Sequence, residues 1–185
     1  MVPVSLAGVY PVGPESFLCG LLHWEAKDRY VPVWLPAFEG ARLLARLSGW
    51  EPTRPTTEDV LVEALSASEN TVQGIELTGF HEGIFMATLT LGNGSEVDAR
   101  ASDALILSVL LDLPLEMDES VAAQTGLWLS PEDAMSYFEL DIAGISAEDE
   151  SASGDAQADA EFEQLMRDLG VEPEEISGDE LDDDV

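Results

Sequence analysis

Acidic residues are concentrated in the last third of this 185-residue chain, and this limits what each part can fold into. Residues 1–129 hold 18 acidic and six basic residues, whereas residues 130–185 hold 20 acidic residues and one basic residue. Residues 146–158 contain no aromatic or branched aliphatic side chain, so they cannot offset the entropy lost on ordering. We therefore predict a folded domain over residues 1–140, a flexible acidic linker over residues 141–158 and an acidic tail over residues 159–185.

One segment of the tail has the spacing of a helix. Its apolar residues recur at i, i+3, i+4 and i+7, and they are Phe162, Leu165, Met166 and Leu169. Acidic residues come first and Arg167 comes near the end, which suits the helix dipole. We predict a short amphipathic helix over residues 159–169. It docks either on its own domain or sister subunit, or on a foreign protein partner.

Composition excludes several classes of protein. The single cysteine, Cys19, cannot form an internal disulfide, and with only His23 and His81 beside it a Cys/His zinc site is excluded. No apolar run approaches the ~20 residues of a membrane span, and the N-terminus lacks the basic region of a signal peptide. We predict a cytoplasmic protein outside the membrane. The net charge of −31 opposes binding to nucleic acid.

The apolar patterns of residues 1–140 alternate between strand and helix types. Segments rich in β-branched and aromatic residues, bounded by turn residues, predict strands at 2–10, 17–24, 30–34, 71–80, 84–91, 95–99 and 114–117. Helical periodicity and capping residues predict helices at 36–47, from 56 or 57 onward, at 104–111 and at 131–138. In the second of these helices the predicted inward-facing residues are Val60, Leu61, Ala64 and Leu65. Groups of strands with interspersed helices predict an α+β fold, a single compact domain with a largely antiparallel sheet.

Basic residues are few, and six of the seven lie between positions 27 and 100. No Walker loop, Gly-x-Ser-x-Gly elbow or His-Glu-x-x-His motif accompanies them. Arg42 and Arg46 lie one turn apart on a predicted helix, where we expect Glu39, one turn earlier, to offset their repulsion. Arg54 lies between two prolines that stiffen its backbone. It is either a brace against a carboxylate or a substrate-binding group.

The densest polar cluster covers residues 98–103, where a predicted strand leads into an apolar helix. Asp98 and Arg100 project to the same side of an alternating strand, and Ser102 and Asp103 come at the helix N-terminus, which favours anions. Carboxylates there could hold a divalent cation such as Mg²⁺ or Mn²⁺, and Arg100 could bind phosphoryl oxygens. The alternative is that Ser102 and Asp103 are ordinary helix caps.

Four segments together resemble the bifunctional nuclease domain family in order and spacing, over about residues 5–129. They are residues 28–35 (DRYVPVWL) with Glu39, residues 54–59 (RPTTED), residues 83–87 (GIFMA) and residues 98–105 (DARASDAL). The acidic extension with a short helix is similar to that of actinobacterial members. The resemblance implies a compact α+β domain, often dimeric, with nuclease activity on DNA and RNA, and we expect a homodimer.

The resemblance also implies candidate site residues. The candidate catalytic residues are Asp98, Asp103, Glu39 and Asp59, with Asp98 and Asp103 also as metal ligands, and the candidate substrate-binding residues are Arg29, Arg54, Arg100 and Ser102. Three positions depart from the family pattern, because Glu58 replaces a usual histidine, Ala101 a proline and Pro36 a small residue. A glutamate in place of a histidine base would alter the chemistry, since its unperturbed pKa is much lower.

Three hypotheses follow for function. The first is a metal-assisted nuclease acting on single-stranded or flexible DNA and RNA. The second is a non-catalytic regulatory or scaffolding module that binds another protein through the domain surface or the tail helix. The third is that the acidic tail mimics nucleic acid and occupies the domain's own basic groove. We expect deletion of residues 143–185 to raise nucleic-acid affinity, because it removes a repulsive field.

Overall fold

The computed structural model describes residues 1–140 and residue 142 of the chain. Seven strands are present, namely β1 (Val2–Val12), β2 (Phe17–Trp24), β3 (Arg29–Leu35), β4 (Val72–His81), β5 (Ile84–Leu91), β6 (Glu96–Arg100) and β7 (Leu115–Met117). Five α-helices accompany them, namely α1 (Ala37–Leu47), α2 (Thr57–Ala67), α3 (Ala101–Leu111), α4 (Glu119–Thr125) and α5 (Pro131–Phe138). The α+β prediction is confirmed, and the strands and helices predicted within residues 1–140 are all found.

The strands form one sheet in the order β3-β2-β1-β7-β4-β5-β6. Two antiparallel meanders, β1–β3 and β4–β6, lie side by side, and the short strand β7 joins them. Strand β7 pairs antiparallel with β1 and parallel with β4. The sheet is therefore largely antiparallel, as predicted, with a single parallel pair among the described strands. Strands β3 and β6 are its two edges.

Turn chemistry sets the register of the second meander. Glu82 and Gly83 both have positive φ, at 50° and 84°, and they join the paired residues His81 and Ile84. Two consecutive residues of positive φ make the hairpin turn whose twist matches that of the flanking strands, and a glycine adopts this conformation at little cost. The turn fixes which side chains of β5 face the helices.

Helix α3 fills the centre of the domain. Its first turns are buried on nearly every side, from Ala104 through Leu107, as its continuous apolar run predicts. It contacts α1 as well as strands β4, β5 and β6. Helix α1 lies against β2 and approaches it closely at Gly40, where an added Cβ would come 2.7 Å from Leu18 Cδ1. This close approach holds the first turn of α1 beside the start of α3.

Two details differ from the predictions. Val60, Leu61 and Ala64 of α2 are exposed rather than inward-facing, whereas Leu65 packs on the core as predicted. The reason is that the face packed on the core is formed by Val62 and Leu65. Helix α4 was not predicted, since its seven residues bury only two small apolar side chains and give almost no periodic signal. Its one cue is the preceding Asp118, whose side chain accepts a hydrogen bond from the Ser120 N–H.

Among the described residues no helix combines the length and the apolar character needed to cross a bilayer. Apart from residue 142, the predicted linker over residues 141–158 lies outside the described residues. The tail helix predicted over residues 159–169 lies outside them as well. The domain boundaries, the homodimer and the cytoplasmic location stay predictions.

Candidate functional site

A cleft of about 420 Å³ lies between α1, α2, the β5–β6 pair and α3. This volume falls in the range of about 300–1,000 Å³ typical of small-molecule sites. Its apolar wall is formed by Leu61, Leu89, Val97 and Leu107. Its charged lining consists of Arg42, Glu58, Asp98, Arg100 and Asp103. We call it the carboxylate cleft, because carboxylates outnumber guanidinium groups in its lining by three to two.

Arg100 is held at the mouth of the carboxylate cleft by two carboxylates. Its Nε donates to Asp103 Oδ2 at 2.8 Å, its Nη2 donates to Asp103 Oδ1 at 2.9 Å, and its Nη1 donates to Glu39 Oε1 at 3.0 Å. The Asp103 carboxylate, and then that of Glu39, raises the pKa of the Arg100 guanidinium, so it remains charged. The Arg100 side chain nevertheless keeps 63% of its surface exposed.

Local sequence explains this arrangement. Arg100 is the residue that precedes α3, and Asp103 is the third residue of that helix, so the two side chains are one turn apart. Neither Ser102 nor Asp103 caps α3, since the N-cap is Arg100 and it makes no side-chain capping bond. The capping alternative is therefore wrong. The Asp103 carboxylate instead fixes the guanidinium of the residue three positions earlier.

Glu58 lies at the inner end of the carboxylate cleft. It is a buried charged residue, and its carboxylate forms an ion pair with Arg42 Nη2. Arg42 in turn lies over the ring of Phe38, with 5.4 Å between its Cζ and the ring centroid. The residue at the position of the family's usual histidine is therefore tied to a guanidinium.

A second arginine–carboxylate cluster joins α1 to the start of α2. Arg46 Nη2 donates to both carboxylate oxygens of Asp59, at 2.8 and 2.7 Å, and to Thr56 Oγ1 at 3.2 Å. Asp59 Oδ2 also accepts from the Thr56 N–H at 2.7 Å, which completes a capping box. Burial alone would raise the pKa of Asp59, but the Thr56 N–H, the Arg46 guanidinium and the Thr56 hydroxyl together lower it.

The expectation that Glu39 offsets the charges of Arg42 and Arg46 is wrong. Each of these arginines has its own partner on α2, and Glu39 binds Arg100 instead. The spacing of residues within α1 cannot reveal these partners, because they lie on α2 and α3, which only the fold brings against α1. The missed site residues are Arg42 and Glu58, and no local pattern in the sequence pairs positions 16 residues apart.

The structure brings together some of the predicted site residues. Asp98, Arg100 and Asp103 line the carboxylate cleft, and Glu39 reaches it through Arg100. Asp98 is exposed, and its side chain makes no hydrogen bond or ion pair with another described residue. Asp59 faces away from this group and belongs to the Arg46 cluster.

Three other predicted residues lie elsewhere. Arg29 begins β3, roughly 17 Å along the strand from Trp34, given a rise of about 3.3 Å per residue. Arg54 is exposed in the loop before α2 and makes no hydrogen bond or ion pair within the described part of the chain, so it is not a brace. Ser102 is buried and lines a separate groove on the other side of Arg100.

Within residues 1–140 and 142, no three or more His, Cys, Asp or Glu side chains are grouped in a way that could hold a metal ion. Asp98 is the carboxylate of the cleft without a partner among these residues, whereas both oxygens of Asp103 accept bonds from Arg100. Mg²⁺ is commonly held by one or two carboxylates together with substrate phosphates and water. The donor set therefore fits a cation that binds Asp98 together with a substrate.

Comparison with known proteins identifies the family. The bifunctional nuclease domain matches residues 21–130 of the chain. Two proteins of Mycobacterium tuberculosis, named "Uncharacterized protein MT1877" in strain CDC 1551 / Oshkosh and "Uncharacterized protein Rv1829" in strain ATCC 25618 / H37Rv, are each 30% identical over 132 residues. Each alignment covers 71% of this chain and 80% of the relative. The matched residues contain the whole carboxylate cleft, and the chain belongs to the bifunctional nuclease domain family.

Proposed function

We propose that the protein is a nuclease that hydrolyses phosphodiester bonds of DNA and RNA at the carboxylate cleft. The observation that carries this proposal is that one cleft presents both an exposed guanidinium, that of Arg100, and an unengaged carboxylate, that of Asp98. Family membership supports a nucleic-acid substrate. Hydrolysis requires a positive group at the phosphoryl oxygens and a group that orients water, and these two side chains supply both.

Arg100 binds the phosphate in this proposal. A guanidinium carries five N–H donors, and the bonds to Asp103 and Glu39 use three of them. The two others have no acceptor among the described residues and are available to a phosphoryl oxygen. Because the carboxylates already fix the guanidinium plane, little side-chain entropy is lost when substrate binds. Asp103 and Glu39 are thus positioning residues.

Asp98 orients the attacking water and would, together with the substrate, hold a divalent cation. A cleft with three carboxylates and two guanidinium groups repels a phosphate unless further positive charge is present, which argues for Mg²⁺ or Mn²⁺. When bound, such a cation would polarise the phosphoryl oxygen and acidify its bound water. Glu58 does not serve as the base here, because Arg42 engages its carboxylate.

The proposal is tested by incubating the full chain with end-labelled DNA and RNA strands, with and without Mg²⁺ or Mn²⁺. We expect cleavage that depends on the cation and is lost in the Asp98→Ala/Asp103→Ala double variant. Glu96→Gln is the matched control, because Glu96 is an exposed carboxylate of the same strand that is not part of the cleft lining. Equal cleavage by wild type and the double variant would reject the proposal.

The alternative is a non-catalytic regulatory or scaffolding module of the same fold. Exposed apolar side chains on α1 and just after it favour it, since Phe38, Leu44, Leu47 and Trp50 are open to solvent. A wild-type chain that binds nucleic acid or protein but cleaves nothing in any cation would support this alternative. The version that uses the tail helix rests on residues outside the described part of the chain and stays a prediction.

A further inference from the structure

A second groove lies on the opposite side of Arg100 from the carboxylate cleft, between the end of β3, the β4–β5 hairpin and the start of α3. Its volume is about 190 Å³, below the ~300 Å³ at which pockets hold a whole drug-sized ligand. One wall carries Trp34 and Ile84, and the other is formed by Arg100, Ala101 and Ser102. We call it the Trp34 groove. Its size suits one flat group.

The apolar wall is unusually exposed for side chains of this size. Trp34 is 57% exposed and Ile84 is 67% exposed, although each lies next to buried strand residues. Gly83 completes this side of the groove without a side chain, because the tight hairpin turn requires its positive φ. An indole open to solvent beside a guanidinium is a surface on which a nucleobase stacks, while the guanidinium binds its phosphate.

The polar wall contains an unused donor. Ser102 is only 6% exposed, yet its hydroxyl has no hydrogen-bond partner among the described residues and it lines the groove. This hydroxyl oxygen is not sealed from solvent, so it can bind a ligand oxygen in the groove. The N-terminus of the 11-residue helix α3 lies at the same wall and lacks a side-chain cap, so its first N–H groups also favour an anion.

We propose that the Trp34 groove binds one nucleotide of a single-stranded nucleic acid, with the base against Trp34 and Ile84 and the flanking phosphate at Arg100 and Ser102. The inference rests on the proposed function for its ligand class. A duplex would keep its bases paired and unable to reach the indole, so the groove selects single strands. Since Arg100 borders both sites, the groove places the next phosphate of the strand at the carboxylate cleft.

The test measures binding without cleavage. The full chain, free of divalent cations and at low ionic strength, is titrated into a labelled eight-nucleotide adenine strand and into an abasic strand of equal length, and anisotropy gives each Kd. We expect Trp34→Ala to weaken binding of the adenine strand about 5- to 150-fold, the range for loss of one stacked base, and to leave the abasic Kd unchanged. Trp34→Phe retains a ring and should lose much less.

Two further variants separate base from phosphate. Ile84→Ser should weaken binding of the adenine strand alone. It serves as an independent variant if Trp34→Ala alters folding, which circular dichroism checks. Ser102→Ala should weaken binding of both strands by a similar factor, smaller than that of Trp34→Ala on the adenine strand. Trp50→Ala is the matched control, since Trp50 is also an exposed tryptophan but lies against Arg46, with 5.9 Å between the Arg46 Cζ and its ring. It should change neither Kd.

Several outcomes would overturn the groove assignment. These are an unchanged adenine-strand Kd in both Trp34→Ala and Ile84→Ser, an equal loss on both strands in Trp34→Ala, or no binding by the wild type. A dimer that becomes monomeric in Trp34→Ala, measured by sedimentation velocity, would show that a second copy covers the groove, and it would overturn the assignment too. Stacking without cleavage would instead reject only the nuclease proposal, so the two failures are distinguishable.

Discussion

Two arginine–carboxylate clusters, one around Arg46 and one around Arg100, differ in how much of the guanidinium they leave available. In the Arg46 cluster, Asp59 binds the guanidinium and caps α2, and the Arg46 side chain is only 12% exposed. In the Arg100 cluster, the guanidinium is fixed just as firmly but stays mostly exposed, with two N–H donors unused among the described residues. The first cluster joins two helices, whereas the second presents a positive group to solvent.

An arginine–carboxylate pair therefore does not by itself indicate a functional site. The two clusters differ in whether their carboxylates also cap a helix. Asp59 already has a role at the N-terminus of its own helix, so Arg46 completes a structural cap. Asp103 and Glu39 make no capping bond among the described residues, and their geometry serves Arg100 alone. Substitutions in the two clusters should therefore affect different properties.

Arg100→Ala should have the largest effect. We expect cleavage to fall roughly 100- to 1,000-fold, because a preorganised donor at the phosphoryl oxygens is lost. The free energy of unfolding should change little, since this side chain is exposed. Single-turnover cleavage and urea unfolding measure the two quantities. A variant that keeps full cleavage would remove Arg100 from the site.

Arg46→Ala should show the opposite pattern. We expect the free energy of unfolding to fall by about 2 kcal/mol, because charge-assisted hydrogen bonds to Asp59 and one bond to Thr56 disappear. Cleavage per folded molecule should remain within about twofold of wild type. The same two assays measure this, with Arg54→Ala as control, since that exposed arginine makes no bond within the described residues. Loss of cleavage in Arg46→Ala would show that the Arg46 cluster also contributes to cleavage, contrary to this expectation.

Asp59→Asn should sharpen the contrast through pH. The folded-state pKa of Asp59 is lowered from 3.8, so its carboxylate contributes stability above about pH 4, and this contribution is lost as pH falls through the folded value. We expect the variant to be less stable than wild type by about 1 kcal/mol at pH 7. The gap should shrink steadily as pH falls below 4. Urea unfolding from pH 7 to pH 3 measures it, and a constant gap would contradict the assignment.

Deletion of residues 143–185 should have the smallest effect. It removes 16 acidic residues and one basic residue, so we expect nucleic-acid affinity to rise several-fold at low salt. The gain should vanish in high salt, where charges are screened within a few ångströms. Anisotropy titrations at two salt concentrations measure this. Equal affinity for the two chains at low salt would mean that the tail neither repels nor competes with the substrate.

The fold was predictable from the sequence because the signals were local. Alternation placed the strands, Glu82 and Gly83 marked the hairpin, and the apolar run of α3 marked a buried helix. Strand alternation in β3 also predicts that the Trp34 side chain faces outward, since Val33 and Leu35 on either side of it are buried. This is the cue by which the Trp34 groove could have been found. The pairing of β7 with β1 and β4 had no such cue, since β7 lies about 110 residues from β1 and about 40 residues from β4 in the sequence.

The site was predictable only in part, for a physical reason. Asp98, Arg100 and Asp103 are close in sequence and meet across one strand–helix junction. The Glu39–Arg100 and Arg42–Glu58 pairs depend on how α1 packs against α3 and α2, which is a property of the whole fold. The family resemblance places Arg29 and Arg54 in the same site, but strand direction and loop exposure place them elsewhere.

Asp98→Asn is the decisive variant, because the Asp98 side chain makes no bond with another described residue and its replacement breaks no side-chain contact. The measurement is cation-dependent cleavage of a labelled single strand by wild type, Asp98→Asn and Glu96→Gln, each with its free energy of unfolding. We expect cleavage to be reduced at least roughly 100-fold in Asp98→Asn alone, with all three proteins equally stable. Cleavage by Asp98→Asn at the wild-type rate would contradict the assignment of the carboxylate cleft as a nuclease site.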